Sequence, residues 1–201
     1  FVIKNQCIET LKMMKIIANK LPKQCFAMDP IDTAEFMSEN NNIVYCPYLY
    51  GFSNYSRKDF RKNILSYGNV IDLSGKGPVG THLGGTGIAV SAQSKNKNYA
   101  MDYAYWIASA DCQKKTYYEN GGQPGNAVAW EDEKINLETN NFFKNTRQTL
   151  EEAWVRPKHN GYMKFQDEGG NIINEYLQTS GDEVRIYEKL KSEYKESFKN
   201  E

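Results

Sequence analysis

The sequence predicts an α/β fold that becomes rich in helix towards its C-terminus. Three observations carry this expectation. Short apolar runs of strand length, Ile43-Val44-Tyr45-Cys46, Ile64-Leu65-Ser66-Tyr67 and Ile88-Ala89-Val90, fall among helical patterns in residues 1–90. From residue 91 onward the apolar positions recur almost entirely at helical spacing. Between the two regimes stands Gly84-Gly85-Thr86-Gly87, a glycine turn that feeds the run Ile88–Val90 and then a helix start.

Taken in order, Cys7, Leu11, Met14, Ala18 and Leu21 recur at helical spacing and Pro22 ends the helix. Asp29 as N-cap with Pro30 at the first helical position starts a second helix. Its inward positions are Ile31, Ala34 and Met37, and Asn40-Asn41-Asn42 stops it. The run Ile43–Cys46 reads as a buried strand ended by Pro47. Ser74-Gly75-Lys76-Gly77-Pro78 reads as a loop and lacks the spacing of a phosphate-binding loop. Beyond the glycine turn, Ser94 and Asn96 are candidate N-caps for a helix marked by Ala100, Tyr103, Ala104 and Ile107. Asp111 caps the next, which runs to Asn120 and stops at Gly121-Gly122, before a turn at Gln123–Asn126. A helix over Asn141–Trp154 is broken by Arg156-Pro157. Tyr162, Phe165, Gly169, Ile172, Ile173 and Tyr176 mark another. Asp182 caps the last, with Ile186 or Tyr187, Leu190, Tyr194 and Phe198 as its stripe.

Composition narrows the chemistry. The 201 residues carry 25 basic and 25 acidic side chains, so no global charge points to nucleic acid or an anionic membrane. No apolar run is long enough to span a bilayer. Phe1-Val2-Ile3-Lys4 is not a signal peptide and reads as the start of a processed or truncated chain. Cys7, Cys25, Cys46 and Cys112 are too far apart for zinc or thioredoxin motifs and are expected to be free thiols. His82 and His159 have no second ligand at metal spacing, so no metal site is expected. His82 is either a plain loop residue or, beside the glycine turn, a ligand contact. The adjacent carboxylates Glu131-Asp132-Glu133, Glu151-Glu152 and Asp167-Glu168 read as solvated surface. No nucleophile motif is present, and no cofactor is implied.

The aromatic residues are more informative. Tyr48, Tyr50, Phe52 and Tyr55 cluster after the expected strand end at Pro47. Tyrosine offers an apolar face and a hydroxyl that donates or accepts, which suits a pyranose with one apolar face and a rim of hydroxyls. Ordinary wall packing is the competing reading.

The order of these parts resembles the C-terminal half of an extracellular solute-binding protein of the carbohydrate type, the receptor of an ABC importer. The matching pieces are the helix at residues 5–21, the helix from Asp29 leading to Val44-Tyr45-Cys46-Pro47-Tyr48, and the turn and run Gly84–Ser91. After them come Ser94-Lys95-Asn96 with its helix, Gly121-Gly122-Gln123-Pro124 and Arg156-Pro157. Cys46 stands where the family has a small residue. The resemblance implies a two-lobed receptor of periplasmic-binding type II. Residues 1–82 would belong to the second lobe, 83–134 would cross to the first, and 135–201 would return. It implies sugar contacts from Tyr48, Tyr50, Gly84, Gly85 and Thr86, and from Tyr162 and Phe165 after the Arg-Pro. It also implies membrane permease partners, no catalysis, and a place outside the cell, lipid-anchored or periplasmic. Two other classes compete: a carbohydrate hydrolase with a carboxylate pair across the tyrosine surface, and a helical protein-interaction module.

Overall fold

The computed structural model describes residues 1–72 and 75–199; Ser74 of the expected loop lies outside the described residues. Its helices are α1 (Lys4–Ala18), α2 (Pro30–Glu39), α3 (Lys97–Ala108), α4 (Ala110–Cys112), α5 (Ala127–Trp130), α6 (Glu133–Glu138), α7 (Phe142–Glu151), α8 (Tyr162–Gln178) and α9 (Glu183–Glu196). Short 3-10 turns occupy Lys23–Ala27 and Ser53–Ser56, and α4 runs on into a π-helical turn at Gln113–Tyr117. The chain divides into two compact units, Phe1–Asp29 with Arg156–Glu201, and Pro30–Val155.

The first unit packs α1, α8 and α9 together. The buried positions of α8, Tyr162, Gly169, Ile172 and Tyr176, keep helical spacing, and those of α9 are Tyr187 and Leu190. Asp182 caps α9 by accepting from the Val184 N–H at 2.8 Å. The C-terminal carbonyls of α8 lack partners within the helix and are met from α1. Lys15 Nζ donates to the carbonyls of Tyr176 and Leu177, each at 2.8 Å, and to that of Thr179. Gly161 lets the end of α9 come close: a Cβ there would stand 2.0 Å from the Ser197 carbonyl oxygen.

The second unit has a core of Tyr118, Ala129, Trp130, Ile135, Phe142 and Phe143, with Tyr67 packed against it. Trp130 buries its indole and donates Nε1–H to the Pro124 carbonyl at 2.7 Å. Asn126 and Asp132 cap α5 and α6, accepting from Val128 and Ile135. Glu35 on α2 accepts from Arg61 and from the Tyr55 hydroxyl at 2.8 Å, which ties α2 to the turn at Ser53–Ser56.

The expected α/β fold of periplasmic-binding type II is not what forms. The described residues hold no sheet, and their only β pairing is an isolated parallel bridge between His82 and Trp154. The runs 43–46, 64–67 and 88–90 are not strands. A strand needs a partner for its N–H and C=O groups and a face to bury. Val44 is 87% exposed, and Tyr45 and Ile88 are also exposed. Leu65 is tied instead to the 3-10 turn, its N–H donating to Tyr55 at 2.8 Å and its carbonyl accepting from Ser56.

Smaller expectations also change. Leu21 and Ile31, read as inward, are exposed. Ser109, not Asp111, caps α4, because its hydroxyl reaches the Cys112 N–H. The helix expected to reach Trp154 ends at Glu151, and this frees Trp154 to pair with His82.

Candidate functional site

The site is built in the second unit from two short segments and the chain after α7. Gly51 sits on the core: a Cβ there would lie 2.9 Å from Phe142 Cζ. Gln123 holds the same segment, accepting from Ser53 N–H at 2.6 Å and donating to the Gly51 carbonyl at 3.2 Å. Tyr50 is therefore anchored at its base by packing and by an amide side chain.

The other segment, Thr81-His82-Leu83, is held by the end of α7 and by Trp154 just beyond that helix. Thr81 Oγ1 donates to the Thr149 carbonyl at 3.4 Å. Trp154 N–H donates to the Thr81 carbonyl, and Leu83 N–H donates to the Trp154 carbonyl, both at 2.9 Å. This is the parallel bridge, and it brackets His82.

Tyr50 and His82 then meet. Their rings are 5.1 Å apart and nearly perpendicular, and the Tyr50 hydroxyl is hydrogen-bonded to His82 Nε2. Gly84 makes room for the phenol: a Cβ there would stand 2.7 Å from Tyr50 Cε1. Tyr50 remains 38% exposed, so its ring is anchored and still open to solvent.

Of the residues expected in the site, Tyr50 and Gly84 are brought together. Tyr48 is exposed two positions before Tyr50. Gly85 and Thr86 are exposed, and a Cβ on Gly85 would meet nothing within 4 Å. Tyr162 and Phe165 belong to the other unit, where they pack in an aromatic group. Tyr162 is within ring contact of His159 and Phe165, and Phe165 of Tyr194 and Phe1. His159 stacks on Phe198 at 4.1 Å and bonds Ser197 Oγ at 2.9 Å. His82 takes part in the site, and Trp154, not expected there from the sequence, stands beside it. The cue in the sequence was an aromatic just before the Arg-Pro break.

Several charged groups elsewhere are paired. Arg61 and Tyr55 hold the Glu35 carboxyl below the usual carboxylate range. Asp132 is held low by Lys114 at 2.7 Å, and Arg147 binds both Glu131 and Glu151. In the first unit, the neighbouring Glu168 pushes the Glu193 carboxyl up. All four cysteines are free, and burial raises the Cys7 thiol. Among the described residues no group of His, Cys, Asp and Glu could hold a metal ion, and no helix is long and apolar enough to cross a membrane.

The arrangement is suited to recognising hydroxyl groups beside an apolar ring face. A phenol and an imidazole can exchange donor and acceptor roles, and each presents a flat surface. Comparison with protein-family models, with curated proteins and with solved structures gives no match.

Proposed function

We propose that this chain binds a sugar or oligosaccharide as the extracellular substrate-binding component of an ABC importer, without catalysing a reaction on it. The observation that carries the reading is the Tyr50–His82–Gly84 group: an open tyrosine ring, steadied by an imidazole and backed by a glycine that leaves it room. The ring face takes the apolar face of a pyranose, and the phenol and imidazole take hydroxyls from its rim. The order of motifs that resembles carbohydrate receptors supports the same reading. The reading rests on that order and on the site, not on the α/β fold the resemblance implies. Its partners are membrane permease subunits, and its place is outside the cell, lipid-anchored or periplasmic.

A thermal-shift screen against a panel of neutral sugars tests this reading. A ligand that binds only the folded state stabilises it by mass action, by about 2.7 kcal/mol at a hundredfold excess over Kd. One or more sugars should raise the melting temperature in proportion to log concentration, and Tyr50→Ala should lose that response. A panel that leaves the wild-type chain unmoved contradicts the proposal.

One observation favours a second reading, a protein-interaction module. Helix α3 has no buried residue, and Tyr99, Tyr103 and Trp106 share one face at i, i+4 and i+7. Tyr103 and Trp106 are already in ring contact at 5.7 Å. A protein ligand would be weakened by Trp106→Ala and indifferent to Tyr50→Ala.

A further inference from the structure

We infer that two copies of this chain pair through the Tyr99–Tyr103–Trp106 face of α3, with the helices antiparallel about a two-fold axis at Tyr103. The inference rests on the second reading above, for which it names the partner, and it does not depend on sugar binding.

Helix α3 is apolar where a solvated helix is expected to be polar. Apart from Lys97, Asn98 and Asp102, its residues are aromatic, aliphatic or alanine. A helix that is apolar on most of its surface belongs in an interior. None of its residues is buried, however. Ala100, Ala104 and Ile107 are half-buried and mark the side turned to the rest of the unit. On another side Tyr99 is 79%, Tyr103 54% and Trp106 48% exposed. Both ends of the helix are anchored. Gln113 Nε2 donates to the Ile107 carbonyl at 2.7 Å and Asn126 Nδ2 to the Ala108 carbonyl at 3.2 Å. Before the first turn, Ser94 Oγ accepts from the Asn96 N–H at 3.2 Å. The face is therefore already formed, and little of it remains to be ordered on association.

Area and spacing point to a second copy as the occupant. An aromatic side chain carries about 150–250 Å² of surface, so at these exposures the three rings offer roughly 350 Å² per copy and roughly 700 Å² when two faces meet. With the bordering residues Asn96, Ala100, Asp102 and Ile107, the pair approaches the roughly 1,000–1,200 Å² at which specific interfaces begin. A second copy brings this apolar surface with it, and an isologous contact uses it twice. The three rings themselves carry no charge, and within α3 the bordering charge is Asp102 alone. A strongly charged partner thus has little to pair with here, while two copies of the face meet with little repulsion. The spacing also fits a two-fold axis. Tyr99 stands about 6 Å before Tyr103 along the helix and Trp106 about 4.5 Å after it. With the axis at Tyr103, Tyr99 of each copy comes opposite Trp106 of the other, and the two Tyr103 rings meet. Tyr103 and Trp106 are already in ring contact within one copy at 5.7 Å, so the faces join as one aromatic cluster. An interface of this size gives a dimer of micromolar affinity.

Sedimentation velocity of the full chain, run from low micromolar to near-millimolar concentration, tests this. The weight-average mass should rise from 23.1 kDa towards twice that value and no further. Trp106→Ala should weaken the dimer at least tenfold, as loss of a central aromatic anchor does. Tyr103→Asp and Tyr103→Lys should each stay monomeric, because each sets like charges face to face at the axis. Mixed in equal amounts, the two should form a heterodimer, because the facing charges are then opposite. Melting temperatures of the variants at low concentration should match wild type, since these rings are exposed in the single chain.

A wild-type mass that stays at 23.1 kDa at every concentration overturns the inference and leaves α3 open to an unlike protein. Association that Trp106→Ala leaves unchanged assigns the dimer to another surface and overturns it too. A mass that climbs past the dimer shows a contact that does not close, and it contradicts the two-fold pairing. Charge variants that dimerise alone, or that fail to pair when mixed, overturn the axis at Tyr103. Phosphatidylcholine vesicles that sediment the wild-type chain and not Trp106→Ala would give the face to a bilayer and overturn the inference.

Discussion

Gly84 and Gly85 are neighbours that the structure treats differently. A methyl group on Gly84 meets the Tyr50 ring at 2.7 Å, while one on Gly85 meets nothing within 4 Å. Neither glycine has a positive φ, so backbone strain does not enter. Gly84→Ala should therefore push the phenol off His82 and weaken sugar binding by about 1–2 kcal/mol, as loss of one anchor does. Its melting temperature should stay close to wild type, because the ring that moves is part-exposed. Gly85→Ala should leave both stability and affinity within about 0.5 kcal/mol. Calorimetry and thermal unfolding of the two variants check this directly. The turn expected at residues 84–87 does not form: the backbone there is without a turn. Gly84 and Tyr50 themselves were legible in the sequence because composition marks them. Trp154 was not, because its position depends on where α7 stops. His82 was weighed both as a loop residue and as a ligand contact, and its pairing with Tyr50 was not legible because nothing in its own neighbourhood reveals a partner 32 positions away.

Among the elements, the helices were legible and the strands were not, and the difference is physical. A helix makes its hydrogen bonds within itself, so spacing and caps in one segment are enough to specify it. Asp182 before α9 and the Tyr162–Tyr176 pattern of α8 were sufficient for those two. Helices α5 and α6 escaped because each is barely a turn or two long, although Asn126 and Asp132 do cap them. A strand borrows its hydrogen bonds from elsewhere in the chain. Ile43–Cys46 has the composition of a strand and finds no ladder. One contact between elements gives a quantitative expectation. Lys15 satisfies carbonyls at the end of α8 that no other part of that helix can reach. Lys15→Met keeps much of the aliphatic stem and removes the donors. It should destabilise the chain by about 1–3 kcal/mol, the worth of charged hydrogen bonds to a helix C-terminus. Urea unfolding monitored by helix content measures it, and an unchanged midpoint would show that the clamp contributes nothing.

At the scale of the molecule, both units bury tyrosines whose hydroxyls resist ionisation. Burial pushes Tyr67 up to about 12, and burial with the nearby Glu138 and Glu183 carboxylates does the same for Tyr118 and Tyr176. In the unfolded chain a tyrosine titrates near 10. The folded state therefore holds these protons more tightly. The stabilisation is fully present below pH about 10, falls as pH rises towards 12, and is flat above that. Tyr67→Phe removes one titrating group and should make the loss of stability between these values shallower. Its share is about 1–3 kcal/mol. Melting temperature measured against pH for the two proteins decides it, and parallel curves would show that Tyr67 titrates alike in both states.

The central claim is that the Tyr50–His82–Gly84 group is where a neutral sugar binds. Calorimetric titration of the whole chain with the best sugar of the panel, run on wild type and on Tyr50→Ala, tests it most directly. The account predicts saturable heat at one site for the wild-type chain. It predicts at least a tenfold loss of affinity in Tyr50→Ala, whose melting temperature without ligand stays near that of wild type. Saturable binding of equal affinity in both proteins, or no saturable heat with any neutral sugar, would contradict it.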